Sequence, residues 1–112
     1  MNRSRGLSDL SLYILAALTN AGDAGRHGYA LIRDIEREVG RRYTPPAVYA
    51  AIKGLMRGGS VEEGDRDTVN GRLRIGYRVS GESITLLRTE IARREEALLW
   101  IQRAAAKGGN RD

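Results

Sequence analysis

The stretch Thr44–Pro45–Pro46–Ala47–Val48–Tyr49–Ala50–Ala51–Ile52–Lys53–Gly54–Leu55 constrains this chain more than any other. Thr44 is a strong N-cap. Pro45 at the first helical position costs nothing, because its missing N–H would be unpaired there anyway. Val48, Ile52, Leu55 and Met56 share one side at helical spacing, and Gly58–Gly59 stops the run. These residues predict a short helix with an inward apolar face and a polar, tyrosine-bearing face for an outside partner.

Two helices are predicted upstream. The first runs from about Asp9 to Thr19, capped by Ser8 or Asp9, with Leu10, Ile14, Ala17 and Leu18 as its core face. Asn20–Ala21–Gly22–Asp23–Ala24–Gly25 is a turn, built from residues that tolerate turn backbone angles. The second helix runs from about Gly28 to Val39. Tyr29, Ile32, Ile35 and Val39 form its stripe, while Arg33, Glu36 and Arg37 face water with Asp34 and Glu38 supplying opposite charge. Gly40 ends it as a C-terminal cap.

Downstream comes a hairpin. Val61–Arg66 is a weak first strand and Asn70–Gly71 is the favoured pair for a tight turn. The return strand alternates, with Leu73, Ile75, Tyr77 and Val79 on one face and Arg72, Arg74 and Arg78 on the other. The apolar face must lie on the helices, which leaves a line of guanidinium groups outside.

A long helix from about Glu82 to Ala106 closes the chain. Ile84, Leu87, Ile91, Arg94, Leu98, Ile101 and Ala105 alternate spacings of three and four, a heptad seam with one polar break at Arg94. At about 1.5 Å per residue such a helix reaches roughly 36 Å, too long for so small a core to cover. It is expected to dock on a second copy of itself. Residues 1–7 are expected to fray, and Lys107–Asp112 to form a disordered tail. The expected organisation is one domain over 1–80, a dimerisation helix over 81–106 and the tail.

Composition narrows the function. The 112 residues carry a formal net charge of +5, which suits an anionic partner. Cysteine is absent and His27 is the only histidine, so disulfides, thiolate metal sites and histidine-rich metal sites are excluded. No apolar run approaches the roughly 20 residues of a membrane span, and no signal-peptide core follows Met1–Arg5. The expected place is the cytoplasm. The acidic residues show no paired catalytic spacing, and no nucleophile–base set or phosphate-cradling glycine loop occurs. Neither an enzyme nor a cofactor is expected. His27 reads as a structural residue of the loop before the second helix.

Three helices, a two-stranded wing and a long terminal helix make a mainly α chain with a small β-hairpin, that is, a winged helix-turn-helix protein with a dimerisation helix. In that architecture the third helix enters the major groove, the second braces it, and the wing reaches phosphates or the minor groove.

Three stretches also resemble the PadR-like transcriptional regulators, over roughly residues 9–103. His27–Gly28–Tyr29–Ala30–Leu31–Ile32 resembles the family's H-G-Y-E-L-I opening of the second helix. Thr44 through Ile52 resembles its S-P-G-T-L-Y-P-A-L recognition helix, and Gly71 through Ser80 its G-R-R-R-K-Y-Y-R-L-T wing strand. The single terminal helix makes the chain similar to the short members. Pro46 stands in place of a small residue, Ala47 of a threonine, Ala50 of a proline and Ile75 of a basic residue. These departures bear on operator and affinity, not on fold.

The candidate DNA-binding residues are Arg42, Thr44, Pro46, Ala47, Tyr49, Lys53, Arg72 and Arg74. By the resemblance, the Tyr49 hydroxyl reaches phosphate; by its neighbours, it could equally be a core aromatic. Lys53 shares its face. The free N–H groups at the helix start by Thr44 can also receive a phosphate. Arg41 and Arg42 read either as backbone clamps or as solvated turn residues, and the wing arginines either as phosphate ligands or as edge protection. The dimer seam is Ile84, Leu87, Ile91, Arg94, Leu98 and Ile101. Trp100, with Leu99 and Ala97, is either dimer packing or a platform for a planar aromatic effector. The resemblance implies the latter, two copies sandwiching the molecule. The expected function is a homodimeric, sequence-specific transcriptional repressor on a roughly palindromic double-stranded operator. The alternative is a winged-helix protein–protein adaptor.

Overall fold

The structure, a computed structural model, describes residues 6–109. The Ser8 hydroxyl accepts the Ser11 N–H at 3.1 Å and starts α1 (Asp9–Ala21). Ile14, Leu15 and Leu18 are its buried residues, with Leu10 and Ala17 half-buried beside them. Leu15 joins the core because α1 touches α2, α3, α4 and the sheet, so its buried face is wider than one stripe.

A 3-10 turn (Gly22–Ala24) leads into a strand that periodicity missed, β1 (Arg26–His27). It is only two residues long and runs antiparallel to β3 (Arg72–Val79), with Arg26 opposite Tyr77 and His27 opposite Gly76. β2 (Val61–Val69) pairs with the other edge of β3, giving a three-stranded sheet in the order β1–β3–β2. β2 is longer than expected and carries an irregularity between Glu63 and Arg66. Asn70 (φ +53°) and Gly71 (φ +77°) both take the left-handed conformation that the tight hairpin turn demands.

α2 (Gly28–Val39) has the expected bounds and ends on left-handed Gly40. Its inward face differs. Tyr29 is 60% exposed and Val39 is also exposed, whereas Leu31, Ile32, Ile35 and Ala30 are buried. Asp34, expected in water, is 8% exposed. α2 packs between α1 and α3 with β1 at its start, so its core face centres on Leu31 and Ile35.

α3 (Pro45–Arg57) buries Val48, Ile52 and Leu55. With Ile14, Leu15, Leu18, Leu31, Ile35 and Val61 these make the core, and Tyr77 and Val79 pack on it from β3. Leu73, expected on the same packed face, is 59% exposed. The wing outruns the helices that could cover it.

α4 (Ser83–Gly109) is longer than expected at its end, so residues 107–109, expected in the tail, are helical; 110–112 lie outside the described residues. Ser83, Leu86, Leu87 and Glu90 face the domain, and every residue from Glu95 to Gly109 is exposed. The molecule is accordingly elongated, 64 × 30 × 24 Å.

Two expectations about the chain ends change here. Leu7, expected to fray, packs on the core, and its N–H donates to Glu90 at 3.1 Å. Residues 1–5 lie outside the described residues. Arg94, read as a break in the dimer seam, instead turns to its own domain. Its guanidinium donates to the Leu7 carbonyl, to Asp9 and to Glu90, each at 2.9 Å. Leu87 also leaves the seam to pack on the core. Ile84, Ile91, Leu98 and Ile101 remain exposed.

Candidate nucleic-acid interface

The interface candidate starts at the α3 N-terminus. The Thr44 hydroxyl accepts the Ala47 N–H at 3.3 Å, and Pro45 and Pro46 occupy the first two helical positions. The Val48 N–H bonds the Thr44 carbonyl at 3.1 Å. Proline has no N–H, so none of the first four helical positions has one to spare. This narrows the expectation that the start of α3 receives a phosphate through its backbone, because only the Thr44 N–H remains for it. Any other anion contact from α3 would have to come from side chains.

Along α3 the outward ridge is Pro46, Ala50, Lys53 and Arg57, with Gly54 beside it. Small residues near its start let the backbone approach a surface closely, and the two cations lie at its far end. Tyr49 stands at the edge of this ridge, half-buried against α2, and Ala47 at the other edge. The Tyr49 ring meets Tyr29 edge-on at 6.2 Å between centroids. A Cβ at Gly28 would overlap the Tyr49 ring and hydroxyl, so glycine at that position is what lets α2 and α3 close on each other. Burial, with smaller contributions from Tyr77 and Tyr29, pushes the Tyr49 hydroxyl above its ordinary pKa. It stays a phenol, a hydrogen-bond donor at the rim of the interface.

The cations divide into engaged and free. Arg42 donates to Glu36 at 2.8 Å, and Arg41 lies over the Tyr43 ring at 4.8 Å. Both are tied to the α2–α3 turn. On the wing, Arg78 donates to Glu62 at 2.8 Å, and Arg74 lies 3.7 Å from Asp67. Arg66 donates to Glu63 at 2.7 Å, so of the four wing arginines only Arg72 has no carboxylate partner among the described residues, and Lys53, Arg57 and Arg33 share that condition.

Tyr49, Arg72 and Arg74 border one cleft between α2 and the wing. Thr44, Pro46, Ala47 and Lys53 lie along α3, and Arg42 lies before it. Trp100, Leu99 and Ala97 stand exposed on the projecting half of α4, apart from this group, with Trp100 66% exposed. Sequence reading missed Ala50 among the outward residues, and Tyr29 and Arg33 at the cleft. The signal for Ala50 was present, since Pro46, Ala50, Lys53 and Arg57 recur at helical spacing. Tyr29 was hidden because an aromatic at helical spacing reads as core.

Among the described residues no cluster of three metal-ligating side chains occurs, and no helix is long and apolar enough to cross a membrane.

No family model matches the sequence, and no curated protein matches it. Solved structures do. A PadR family transcriptional regulator from Eggerthella lenta superposes with a TM-score of 0.74 at 20% identity, over 86% of this chain and 80% of that one. A transcriptional regulator from Clostridium thermocellum gives 0.71 at 19% identity, over 87% and 96%. A protein of Thermoplasma acidophilum gives 0.72 at 19%, over 87% and 90%. The chain therefore has the winged-helix fold of these regulators, mainly α with a small sheet and a long C-terminal helix.

Proposed function

We propose that this winged-helix chain is a homodimeric, sequence-specific DNA-binding repressor of the PadR type. The observation that carries the reading is the pairing of a small-faced, outward α3 ridge with the unpaired cations Lys53, Arg57 and Arg72 around it. The fold shared with transcriptional regulators supports it. Each protomer places α3 in a major groove, with Pro46, Ala47 and Ala50 near base edges. Thr44 holds the helix start, Tyr49 and Lys53 take phosphates, and Arg72 and Arg74 take the backbone or minor groove from the wing. Arg42 steadies the turn that presents α3.

Residues 81–106 are the dimerisation element in this reading. Ile84, Ile91, Leu98 and Ile101 are apolar and exposed on the parts of the helix that its own domain leaves uncovered. Two-fold symmetry then requires a roughly palindromic operator. Leu98–Leu99–Trp100–Ile101 are consecutive, and at about 3.6 residues per turn they point to all sides of the helix. A single partner helix covers one side. Trp100, with Ala97 and Leu99 nearby, is left for a planar aromatic effector, which acts by favouring one arrangement of the two protomers.

The test is a fluorescence-anisotropy titration with duplex DNA from upstream of the chain's own gene, against nonspecific competitor and at several salt concentrations. Competition-resistant binding that Tyr49→Ala with Lys53→Ala removes, in a protein that stays folded and dimeric, supports the proposal. Binding unchanged in that double variant sinks the α3 assignment. No DNA binding at low salt favours the adaptor reading, in which α3 meets a protein.

A further inference from the structure

A recognition helix sets its N-terminal residues against base edges. In α3 the outward residues of that half are Pro46, Ala47 and Ala50, with Pro46 and Ala50 exposed and Ala47 half-buried. None has a polar side-chain atom. Their backbone adds no donor, because proline has no N–H, the Thr44 hydroxyl takes the Ala47 N–H at 3.3 Å, and the Ala50 N–H belongs to the helix ladder. The cations of the outward face come later. Lys53 lies seven residues beyond Pro46 and Arg57 eleven, about 10 and 16 Å along the axis. Tyr49 stands at the edge, held against Gly28 and Tyr29. In the major groove, guanine, adenine and cytosine are told apart by donors and acceptors, which Arg, Lys, Asn, Gln, Asp and Glu can match. Thymine alone adds a C5 methyl, which an apolar side chain matches. An apolar surface set against a donor or acceptor strips its water and returns no hydrogen bond.

We infer that α3 reads thymine C5 methyl groups, with Pro46, Ala47 and Ala50 as the specificity-determining residues and no hydrogen bond from them to a base edge. This rests on the DNA reading proposed above and names the class of operator it takes, one with thymine under the start of α3 in each half-site. The small side chains serve that contact. Two methyl groups touch only when the helix backbone comes close to the groove floor, and alanine permits the approach that a longer side chain blocks. Lys53 and Arg57 then fall on flanking phosphates and add affinity alike for every sequence. One consequence separates this from hydrogen-bonded recognition. Cytosine methylated at C5 carries a methyl in the same place, and no polar side chain at the start of α3 detects its amino group. 5-Methylcytosine therefore stands in for thymine as far as the methyl contact goes.

The experiment selects duplexes on the full-length protein from a pool with a randomised centre. The enriched duplex is resynthesised with deoxyuridine in place of each half-site thymidine in turn, and affinities are read by fluorescence anisotropy. Uracil at the contacted position should weaken binding about fourfold, and roughly fifteenfold when both half-sites are changed, the worth of one buried methyl in each. With cytosine placed there, adding its 5-methyl should regain about the same fourfold. Ala47→Gly or Ala50→Gly should bring the thymine-to-uracil ratio toward one, in a protein that unfolds as a folded domain. Lys53→Ala should weaken the thymine and uracil duplexes by one common factor. Equal affinity for thymine and uracil at every position of an enriched duplex overturns the methyl contact and leaves the DNA reading standing. So does a 5-methyl on cytosine that gains nothing. A ratio that neither glycine variant moves overturns the assignment to α3. A pool from which no sequence is enriched overturns the DNA reading and this inference with it.

Discussion

The Arg26 guanidinium grips the Asp34 carboxylate at two points, Nε on one oxygen and Nη2 on the other, each at 2.8 Å. Arg37 adds a longer contact at 3.3 Å. Arg26 lies in β1, which is hydrogen-bonded to β3, and Asp34 lies in α2. The pair therefore ties the wing sheet to the helix that braces α3. Asp34 is nearly buried, while the Arg26 side chain keeps 43% of its surface in water. Asp34→Asn keeps the shape but loses the charge. It should cost about 1–3 kcal/mol in urea denaturation, because Arg26 loses its ionic acceptor but can still be solvated. DNA affinity should also fall as the wing loosens against α2. An unchanged unfolding midpoint would show that the pair does not hold the sheet.

The same pair sets an acid limit. Hydrogen bonding from Arg26 leads the causes that hold the Asp34 carboxyl below its ordinary value of 3.8. A folded-state value below the unfolded one means the pair stabilises fully above the unfolded value. That contribution is lost as pH falls through the folded value. Wild type should therefore lose stability below about pH 4 more steeply than Asp34→Asn, which has no carboxylate to protonate there. Parallel stability–pH curves for the two proteins would contradict this.

Gly28 and Tyr49 make a second joint between α2 and α3. A Cβ at Gly28 occupies the space of the Tyr49 ring, so Gly28→Ala has to displace it. The cost should be about 1–3 kcal/mol, as for overpacking elsewhere, with weaker DNA binding because Tyr49 moves. In a Tyr49→Ala background the same substitution should cost far less. A double-mutant cycle with no coupling energy would mean that Gly28 matters for a different reason.

The free and engaged wing arginines should behave differently on DNA. On the proposed DNA complex Arg72 would enter a phosphate contact without leaving a partner, whereas Arg74 lies 3.7 Å from Asp67. Arg72→Gln should lower the slope of log affinity against log salt by about 1. Arg74→Gln should lower it less. Anisotropy titrations across a salt series measure both, and equal slopes for wild type and Arg72→Gln would remove Arg72 from the phosphate contacts.

Much of this architecture was legible because it is local. The Thr44 cap, the bounds of α2 at Gly28 and Val39, and the Asn70–Gly71 turn each depend on residues within one turn of one another. What escaped depends on distance along the chain. Asp34 looks like a surface charge until β1, too short to show a period, brings Arg26 beside it. Leu73 continues a regular alternation, and nothing local says that the helices end before the wing does. The closed N-terminus of α3 was the exception, since two prolines and a threonine cap state it in consecutive residues. Sequence reading placed the candidate site on α3 and the wing. It was not legible at Tyr29 and Arg33, which join it only where α2 and β3 face each other.

Arg94 separates two accounts of α4 most sharply. Read as a heptad position, it is a polar flaw whose replacement by leucine should complete the apolar seam and tighten a dimer. In the structure it closes a network around Glu90, which is 3% exposed and also accepts the Leu7 N–H. Arg94→Leu leaves the Glu90 carboxylate buried with Arg93 beside it at 3.9 Å, and strips the Leu7 carbonyl and Asp9 of their donor. The fold should lose about 2–3 kcal/mol, below the full cost of orphaning a buried charge because Arg93 remains. The Leu7 segment should exchange its amide protons faster, and α4 should lose its fixed angle to α1. Leu98→Glu, on the exposed side of the same helix, should do the opposite, weakening self-association in sedimentation while leaving the unfolding of the winged domain nearly unchanged. Arg94→Leu with raised stability and tighter self-association would restore the seam reading and place Arg94 against a partner helix instead of its own N-terminal segment.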